Sequence, residues 1–99
     1  MKLLRRVWFR LFSPKVALGK EFVLRKEDEK NFLVYNMRSG GYFFVNEVGG
    51  FILSLIKDEP KSVKEIAESV VEEYEVDLKK AVRDVKKFLL PLYVSGIVG

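Results

Sequence analysis

The apolar residues of this 99-residue chain change their spacing from that of strands to that of helices near Asn46. Before that point, three short segments rich in aromatic and β-branched residues, 22–27, 31–37 and 42–45, are separated by polar turn residues and glycines. That pattern is typical of strands in an antiparallel meander. After it, apolar residues recur every three or four positions, as they do along amphipathic helices. The sequence therefore predicts an α+β domain in which a three-stranded antiparallel meander precedes three helices.

The helix boundaries follow from local capping signals. Three residues are predicted to cap helix N-termini: Asn46, Ser62 and Asp77. Glu65 stands three residues after Ser62, which is the spacing of a capping box. Gly96 is predicted to end the last helix, and Pro91 to kink it, because proline has no backbone N–H to donate. The last two helices have the spacing of a helix-turn-helix, so the predicted arrangement is winged-helix-like.

The first twenty residues carry six basic side chains and no acidic one. Residues 3–12 predict a short amphipathic helix that ends before Pro14, with Phe9 intruding on its basic face. Its apolar half holds the residues predicted for self-association: Leu4, Val7, Trp8, Leu11 and Phe12. Three alternatives remain for what covers this half: the chain's own sheet, a second copy in a homodimer, or an anionic membrane surface or partner. We therefore divide the chain into a basic arm, residues 1–20, and a domain, residues 21–99.

Residues 15–21 are predicted to be a connector between the arm and the first strand. No stretch approaches the roughly 20 apolar residues of a membrane span, and the N-terminus lacks the cleavage site of a signal peptide. We therefore expect no transmembrane segment and a cytoplasmic protein. The abundance of Lys and Glu is typical of a thermophile.

The chain contains no Cys and no His. This composition excludes disulfides, thiol nucleophiles, iron–sulfur clusters, His-based triads and the usual zinc sites. The paired glycines at 40–41 and 49–50 lack the spacing and the following Lys-Ser of a phosphate-binding loop. The sequence therefore favours a binding module over an enzyme, with no metal and no cofactor expected.

The aromatic segment 42–45 contains the first set of predicted peptide-binding residues: Tyr42, Phe43, Phe44 and Val45. An in-order meander makes this segment an edge strand, whose unpaired N–H and C=O groups an extended peptide can satisfy by adding a strand. Natural edges usually carry Lys or Pro, and this one carries neither. Alternation puts Phe43 and Val45 on one face and the other two side chains on the opposite face. The alternative is that all four pack against the N-terminal helix.

The off-core face of the last predicted helix supplies the second set of predicted peptide-binding residues: Lys79, Arg83, Lys86 and Leu90. These side chains fall within about 60° of one another, with Tyr93 nearby, and form a basic stripe with an apolar end. Such a stripe suits the wall of a groove for an acidic or mixed peptide, and the alternative is a solvated charged face. The alternative functions are a winged-helix nucleic-acid-binding regulator and a structural homodimerisation module. Against the regulator, the helix has no Asn or Gln and a single Arg to read bases, and the acidic helix before it would repel phosphates.

Residues 32–98, about two thirds of the chain, resemble the PqqD-like family of peptide-recognition proteins from pathways that modify ribosomally made peptides. The resemblance rests on the stretches FLVYN, GGYFFVNEVGGFILSLI, SVKEIAESVVEEY and DVKKFLLPLYVSGIV. The aromatic strand of the family closes in a hydrophobic residue followed by Asn, which Val45 and Asn46 match. The final helix of the family is matched by Asp84, Val85, Phe88, Leu89, Leu92 and Gly96.

The resemblance implies a non-catalytic protein that binds the leader of a precursor peptide as an added strand. Apolar side chains of the leader are expected to enter a cleft between the third strand and the last helix. The bound precursor is then presented to a modifying enzyme, often a radical S-adenosylmethionine protein. In this chain the implied docking edge is 42–45, and the implied cleft wall surrounds Arg83, Lys86 and Leu90. The chain departs from the family in its long basic arm, which could occupy the cleft, and in Pro91.

Overall fold

A computed structural model describes residues 4–7, 9 and 14–99 of the chain. Residues 4–7 and 9 are helical and are called α1. The remaining elements are β1 (Phe22–Lys26), β2 (Asn31–Asn36), β3 (Tyr42–Asn46), α2 (Glu47–Ile56), α3 (Val63–Tyr74) and α4 (Leu78–Val94). The three strands form one antiparallel sheet in the order β1-β2-β3, so β1 and β3 are its edges. The predicted α+β architecture is confirmed, and each strand boundary lies within one residue of the sequence prediction.

The three predicted N-caps are confirmed by their hydrogen bonds. The side chain of Asn46 accepts from the Gly49 N–H at 2.9 Å, and Asp77 accepts from the Lys80 N–H at 3.2 Å. Ser62 and Glu65 form the reciprocal capping box: the Glu65 N–H donates to Ser62 Oγ at 3.2 Å, and the Ser62 N–H donates to Glu65 Oε1 at 2.9 Å. Each cap satisfies backbone donors that the first helical turn leaves unpaired.

The C-terminal end of α4 is closed by the glycine that the sequence predicted. Gly96 has a φ of +82°, in the left-handed region that glycine adopts without steric cost. Its N–H donates to the Tyr93 carbonyl at 3.1 Å, and the Ile97 N–H donates to the Leu92 carbonyl at 2.9 Å, which together form a Schellman motif. Pro91 lies inside α4, which continues to Val94. The kink at Pro91 stays a prediction.

The core lies between the inner face of the sheet and the three long helices. Its largest fully buried side chains are Phe9, Ile52, Leu53, Ile56, Ile66 and Leu89, with Val16, Val34, Val85 and Val98 around them. Val34 lies in the central strand β2, and its side chain is fully buried in this core. The set spans the chain from α1 to residue 98, so the arm and the domain share one core.

The predicted connector is a paired segment. Val16 and Leu18 are buried and form antiparallel bridges with Lys61 and Val98, respectively. Ala17 also exchanges two backbone hydrogen bonds with Gly99, at 3.1 and 2.9 Å. These bonds pair the backbone N–H and C=O groups of an extended segment. The apolar spacing of residues 15–21 did not predict that this segment is extended and paired. The boundary at residue 20 between arm and domain stays a prediction.

Gly50 sits where α2 lies directly on β2. A Cβ atom at this position would overlap the ring of Phe32, which leaves no room for a side chain between helix and sheet. We expect Gly50→Ala to lower the free energy of unfolding by roughly 1–3 kcal/mol, because the overlap outweighs the gain in helix propensity. Urea denaturation measures the change, with Ser54→Ala on the exposed face of the same helix as the control. Stabilisation of Gly50→Ala would contradict this close approach.

Candidate functional site

The backbone of β3 bonds to β2 through alternate residues. The Asn36 N–H donates to the Gly41 carbonyl at 2.8 Å, which makes these two residues a hydrogen-bonded pair. Bonded pairs alternate along an antiparallel ladder, so Phe43, two residues later, also directs its N–H and C=O towards β2. Tyr42 and Phe44 consequently direct theirs away from the sheet. No other strand of the described residues pairs with this edge of β3, which therefore offers backbone donors and acceptors at these two residues.

The side chains of β3 divide between the two faces of the sheet. Phe43 and Val45 are half-buried and pack against the core. Tyr42 and Phe44 point to the other face, where they are 68% and 57% exposed. Their rings contact each other edge to face, with centroids 6.0 Å apart. The predicted alternation is confirmed, and the alternative that all four side chains pack against the N-terminal helix is wrong, because two of them face outward.

A groove of about 490 Å³ opens where β3 ends and α2 begins. Asn46 and Gly49 line one side, Tyr74 of α3 lines another, and Asp84 and Phe88 of α4 line the third. A Cβ atom on Gly49 would lie 2.8 Å from Cε1 of Phe88, so glycine is what lets α4 approach this closely. Asn46 is the last residue of β3, so the groove adjoins the end of that strand.

The groove has an apolar lining with a compact ion pair at its rim. Lys80 Nζ donates to Asp84 Oδ2 at 2.7 Å, and this bond lowers the pKa of the Asp84 carboxyl below its ordinary value. Tyr74 donates to Glu47 Oε2 at 3.5 Å, and the pKa of the phenol is raised, first by burial and then by the charge of Glu47. Within the described residues, no cluster of three or more acidic side chains could hold a metal ion. The groove is therefore suited to apolar side chains.

Three of the four predicted residues of α4 lie together on a different flank of the helix. Arg83, Lys86 and Leu90 line a pocket of about 310 Å³ with Lys87 and the ring of Phe9. The described residues that line it come only from α1 and α4. Lys79, the remaining member of the set, is exposed. Peptide binding by these residues stays a prediction.

None of the α4 residues that line the groove beside β3 was predicted from the sequence to bind a peptide. Besides the buried Ala81 and Val85, they are Lys80, Asp84 and Phe88, which recur at intervals of four and so share one helix face. Lys86 and Phe88 are two residues apart, which separates them by about 200° around the helix. The recurrence was visible in the sequence, but nothing local indicated which flank of α4 faces β3.

Comparison with known proteins agrees with this architecture. Residues 31–98 match the family model described as coenzyme PQQ synthesis protein D (PqqD). The chain belongs to the PqqD family. The predicted family resemblance is therefore confirmed. No curated protein is significantly similar in sequence.

Two solved structures share the fold of this PqqD-family chain. One is TbiB1 in complex with the TbiA(beta) leader peptide, with 27% sequence identity and a TM-score of 0.70, covering 83% of this chain and 93% of that one. The other is lasso peptide synthetase B1 complexed with the leader peptide, with 24% identity and a TM-score of 0.69, covering 87% of this chain and 99% of that one. No helix in the described residues is long and apolar enough to cross a membrane.

The described part of the arm precedes the residues matched to PqqD, and it contacts α4 through an unexpected face. The Arg5 guanidinium lies 4.2 Å over the Tyr93 ring, and its Nε donates to the Tyr93 carbonyl at 2.7 Å. Phe9 is 1% exposed, with its ring 5.1 Å from that of Tyr93. Tyr93 lies on the flank of α4 that carries the off-core stripe, as predicted, but it is buried because α1 covers it. A cation at the C-terminal end of α4 is favourable, since the last carbonyls carry partial negative charge.

The predicted self-association residues divide into two groups. Leu4 and Val7 are 68% and 43% exposed, so α1 leaves this apolar side uncovered by the described chain. Trp8, Leu11 and Phe12 lie outside the described residues. Homodimer formation through this side stays a prediction.

Proposed function

We propose that this PqqD-family chain is a non-catalytic peptide-binding protein with a winged-helix-like fold that acts in the cytoplasm. It would bind the leader of a ribosomally made precursor peptide as a fourth strand on β3. It would then present the precursor to a modifying enzyme, such as a radical S-adenosylmethionine protein. The observation that carries the proposal is the open edge of β3, which is uncharged, aromatic and rich in outward backbone groups.

The proposed binding mode uses the backbone for affinity and the side chains for selection. An added strand would pair with the outward N–H and C=O groups of Tyr42 and Phe44. Its side chains on the inner face would reach the groove at Asn46 and Phe88, while those on the outer face would meet the exposed rings. Support comes from TbiB1, which shares this fold and is complexed with a leader peptide. Ordering a disordered leader consumes part of the contact energy, so moderate affinity is expected.

The test exploits the difference between two substitutions at one residue. Phe44→Pro removes the outward N–H together with the ring, whereas Phe44→Val removes the ring and keeps the N–H. With the synthetic leader of a precursor peptide encoded near this chain, we expect the Pro variant to bind roughly tenfold more weakly than the Val variant. Isothermal titration calorimetry measures the affinities.

Amide chemical shifts locate the bound peptide in the same titration. Shifts concentrated at residues 42–46 and around the groove are expected for strand addition. Equal affinities of the two variants, or shifts that leave β3 unaffected, would contradict the proposed binding mode.

A further inference from the structure

The apolar side of α1 points away from the domain. Leu4 and Val7 are 68% and 43% exposed, whereas Phe9 is 1% exposed. Val7 and Phe9 are two residues apart in the sequence, so they lie about 160° apart around the helix. An amphipathic helix ordinarily buries its apolar side against its own domain. In this chain that side is turned outward, where it is available to a partner.

The outward orientation is held by contacts on the opposite side of α1. Arg5 Nε donates to the Tyr93 carbonyl at 2.7 Å, and Arg5 Nη2 donates to the Val98 carbonyl at 3.3 Å. The ring of Phe9 packs on that of Tyr93, with centroids 5.1 Å apart. Turning the apolar side of α1 inward would break all of these contacts.

The surface around this apolar side is cationic. The first twenty residues carry six basic side chains and no acidic one, and Arg6 is exposed and forms no ion pair within the described residues. The flank of α4 beside α1 is also basic. Its nearest carboxylate, Asp84, forms an ion pair with Lys80 at 2.7 Å and attracts two further cations. The cations that adjoin α1, where they line a pocket with Phe9, are Arg83, Lys86 and Lys87.

We propose that the apolar side of α1, together with Arg6, binds the surface of an anionic lipid bilayer. Leu4 and Val7 would enter the boundary between headgroups and acyl chains, and the cations around them would lie against the lipid phosphates. The helix would lie in the plane of the membrane and would not cross it. The groove beside β3 lies on the other flank of α4, so a membrane-bound chain would keep it open.

A second copy of the chain fits this side of α1 less well than a bilayer does. From residue 4 to residue 9 the helix is about 9 Å long, so one side of it buries roughly 200 Å² per copy, against about 800 Å² per partner in a stable complex. A two-fold contact would also bring the basic arms of both copies together, where like charges repel. An anionic bilayer neutralises the same charges.

The experiment is a titration of the full chain with vesicles of equal parts phosphatidylglycerol and phosphatidylcholine, and with vesicles of phosphatidylcholine alone. Co-sedimentation measures the bound fraction. Fluorescence of Trp8, the single tryptophan of the chain and the neighbour of Val7 in the sequence, reports an apolar environment. We expect saturable binding to the anionic vesicles with a shift of the Trp8 emission to shorter wavelength, and roughly tenfold weaker binding to the neutral vesicles.

Two double variants of matched exposure separate α1 from the rest of the surface. Leu4→Ser with Val7→Ser removes the apolar side of α1 and should weaken binding to the anionic vesicles by roughly tenfold. Met37→Ser with Leu78→Ser removes two side chains that are 59% and 43% exposed elsewhere, and should change binding by less than about twofold. All four side chains are exposed, so both variants should keep the fold, which circular dichroism checks.

Three outcomes would overturn the proposal. The first is no binding to the anionic vesicles, or equal binding to both kinds of vesicle. The second is an equal effect of the two double variants. The third is a doubled molar mass in light scattering without vesicles that Leu4→Ser with Val7→Ser abolishes, because a second copy would then cover this side. None of these outcomes bears on strand addition at β3, which is tested with a leader peptide and without vesicles.

Discussion

Replacing Phe9 with Ala is expected to lower the free energy of unfolding by roughly 3 kcal/mol. The ring is 1% exposed and packs on Tyr93, so its removal leaves a cavity between α1 and the end of α4. The expected loss lies at the low end of the range for a buried phenylalanine, because α1 can shift and fill part of the space. Chemical denaturation of the full chain measures it.

Leu4→Ala is the matched control for this prediction. Leu4 lies on the same helix but is 68% exposed, so its truncation should change the stability by less than about 0.5 kcal/mol. Equal effects of the two substitutions would show that α1 does not use the face that carries Phe9.

Proline substitutions at two neighbouring residues of β3 are expected to differ sharply in stability. Phe43→Pro removes a hydrogen bond to β2, leaves an acceptor on that strand unpaired and deletes a half-buried ring, which together should cost roughly 3 kcal/mol. Phe44→Pro removes only an outward N–H and an exposed ring, so its cost should stay near 1 kcal/mol.

Urea denaturation of both proline variants measures these losses. The comparison requires that the slope of the unfolding free energy against urea concentration is the same in both variants. The reverse order of stability would mean that the register of β3 is shifted by one residue, which would turn Phe43 and Val45 outward. That result would also remove the basis for strand addition at Tyr42 and Phe44. The comparison of the two variants therefore tests the register and orientation of β3 without any peptide ligand.

Much of the fold was predictable because its signals are local. The change of spacing near Asn46 separates sheet from helices, and the caps at Ser62 and Asp77 depend on residues within one turn. The edge position of β3 follows from tight turns that keep the strands in order. Alternation placed Phe43 and Phe44 on opposite faces of the sheet, and the structure shows that the face with Phe44 is the exposed one.

The orientation of α1 was not predictable from its own sequence. The helical pattern placed Leu4 and Val7 on the apolar side and left Phe9 among the basic residues. In the fold, Phe9 is the buried side chain and Arg5 binds a carbonyl of Tyr93. Which face of α1 packs against the domain therefore depends on a carbonyl at the end of α4, almost ninety residues later in the chain. The spacing of apolar residues within α1 carries no information about that carbonyl.

The candidate site was predicted only in part, because part of it also depends on contacts between distant segments. The local sequence pattern predicted the edge of β3, but it did not predict which face of α4 adjoins that edge. Arg83 and Lys86 share a basic stripe, yet this stripe meets α1, while Asp84 and Phe88 line the groove beside β3. Helical spacing shows which residues share a face, and only the packing of α4 against Gly49 shows where each face lies.

The pairing of Ala17 with Gly99 has a consequence for the order in which the protein assembles. Those two hydrogen bonds close a loop that contains nearly the whole chain, and a loop of that size carries a large entropic cost until the rest of the fold exists. The sheet and the α3–α4 pair join segments that are close in sequence and can form earlier. The paired segment from Val16 to Leu18 is therefore expected to form its hydrogen bonds last during folding and to lose them first during partial unfolding. Its amides should exchange hydrogen with solvent faster than those of β2, through openings that leave the sheet intact.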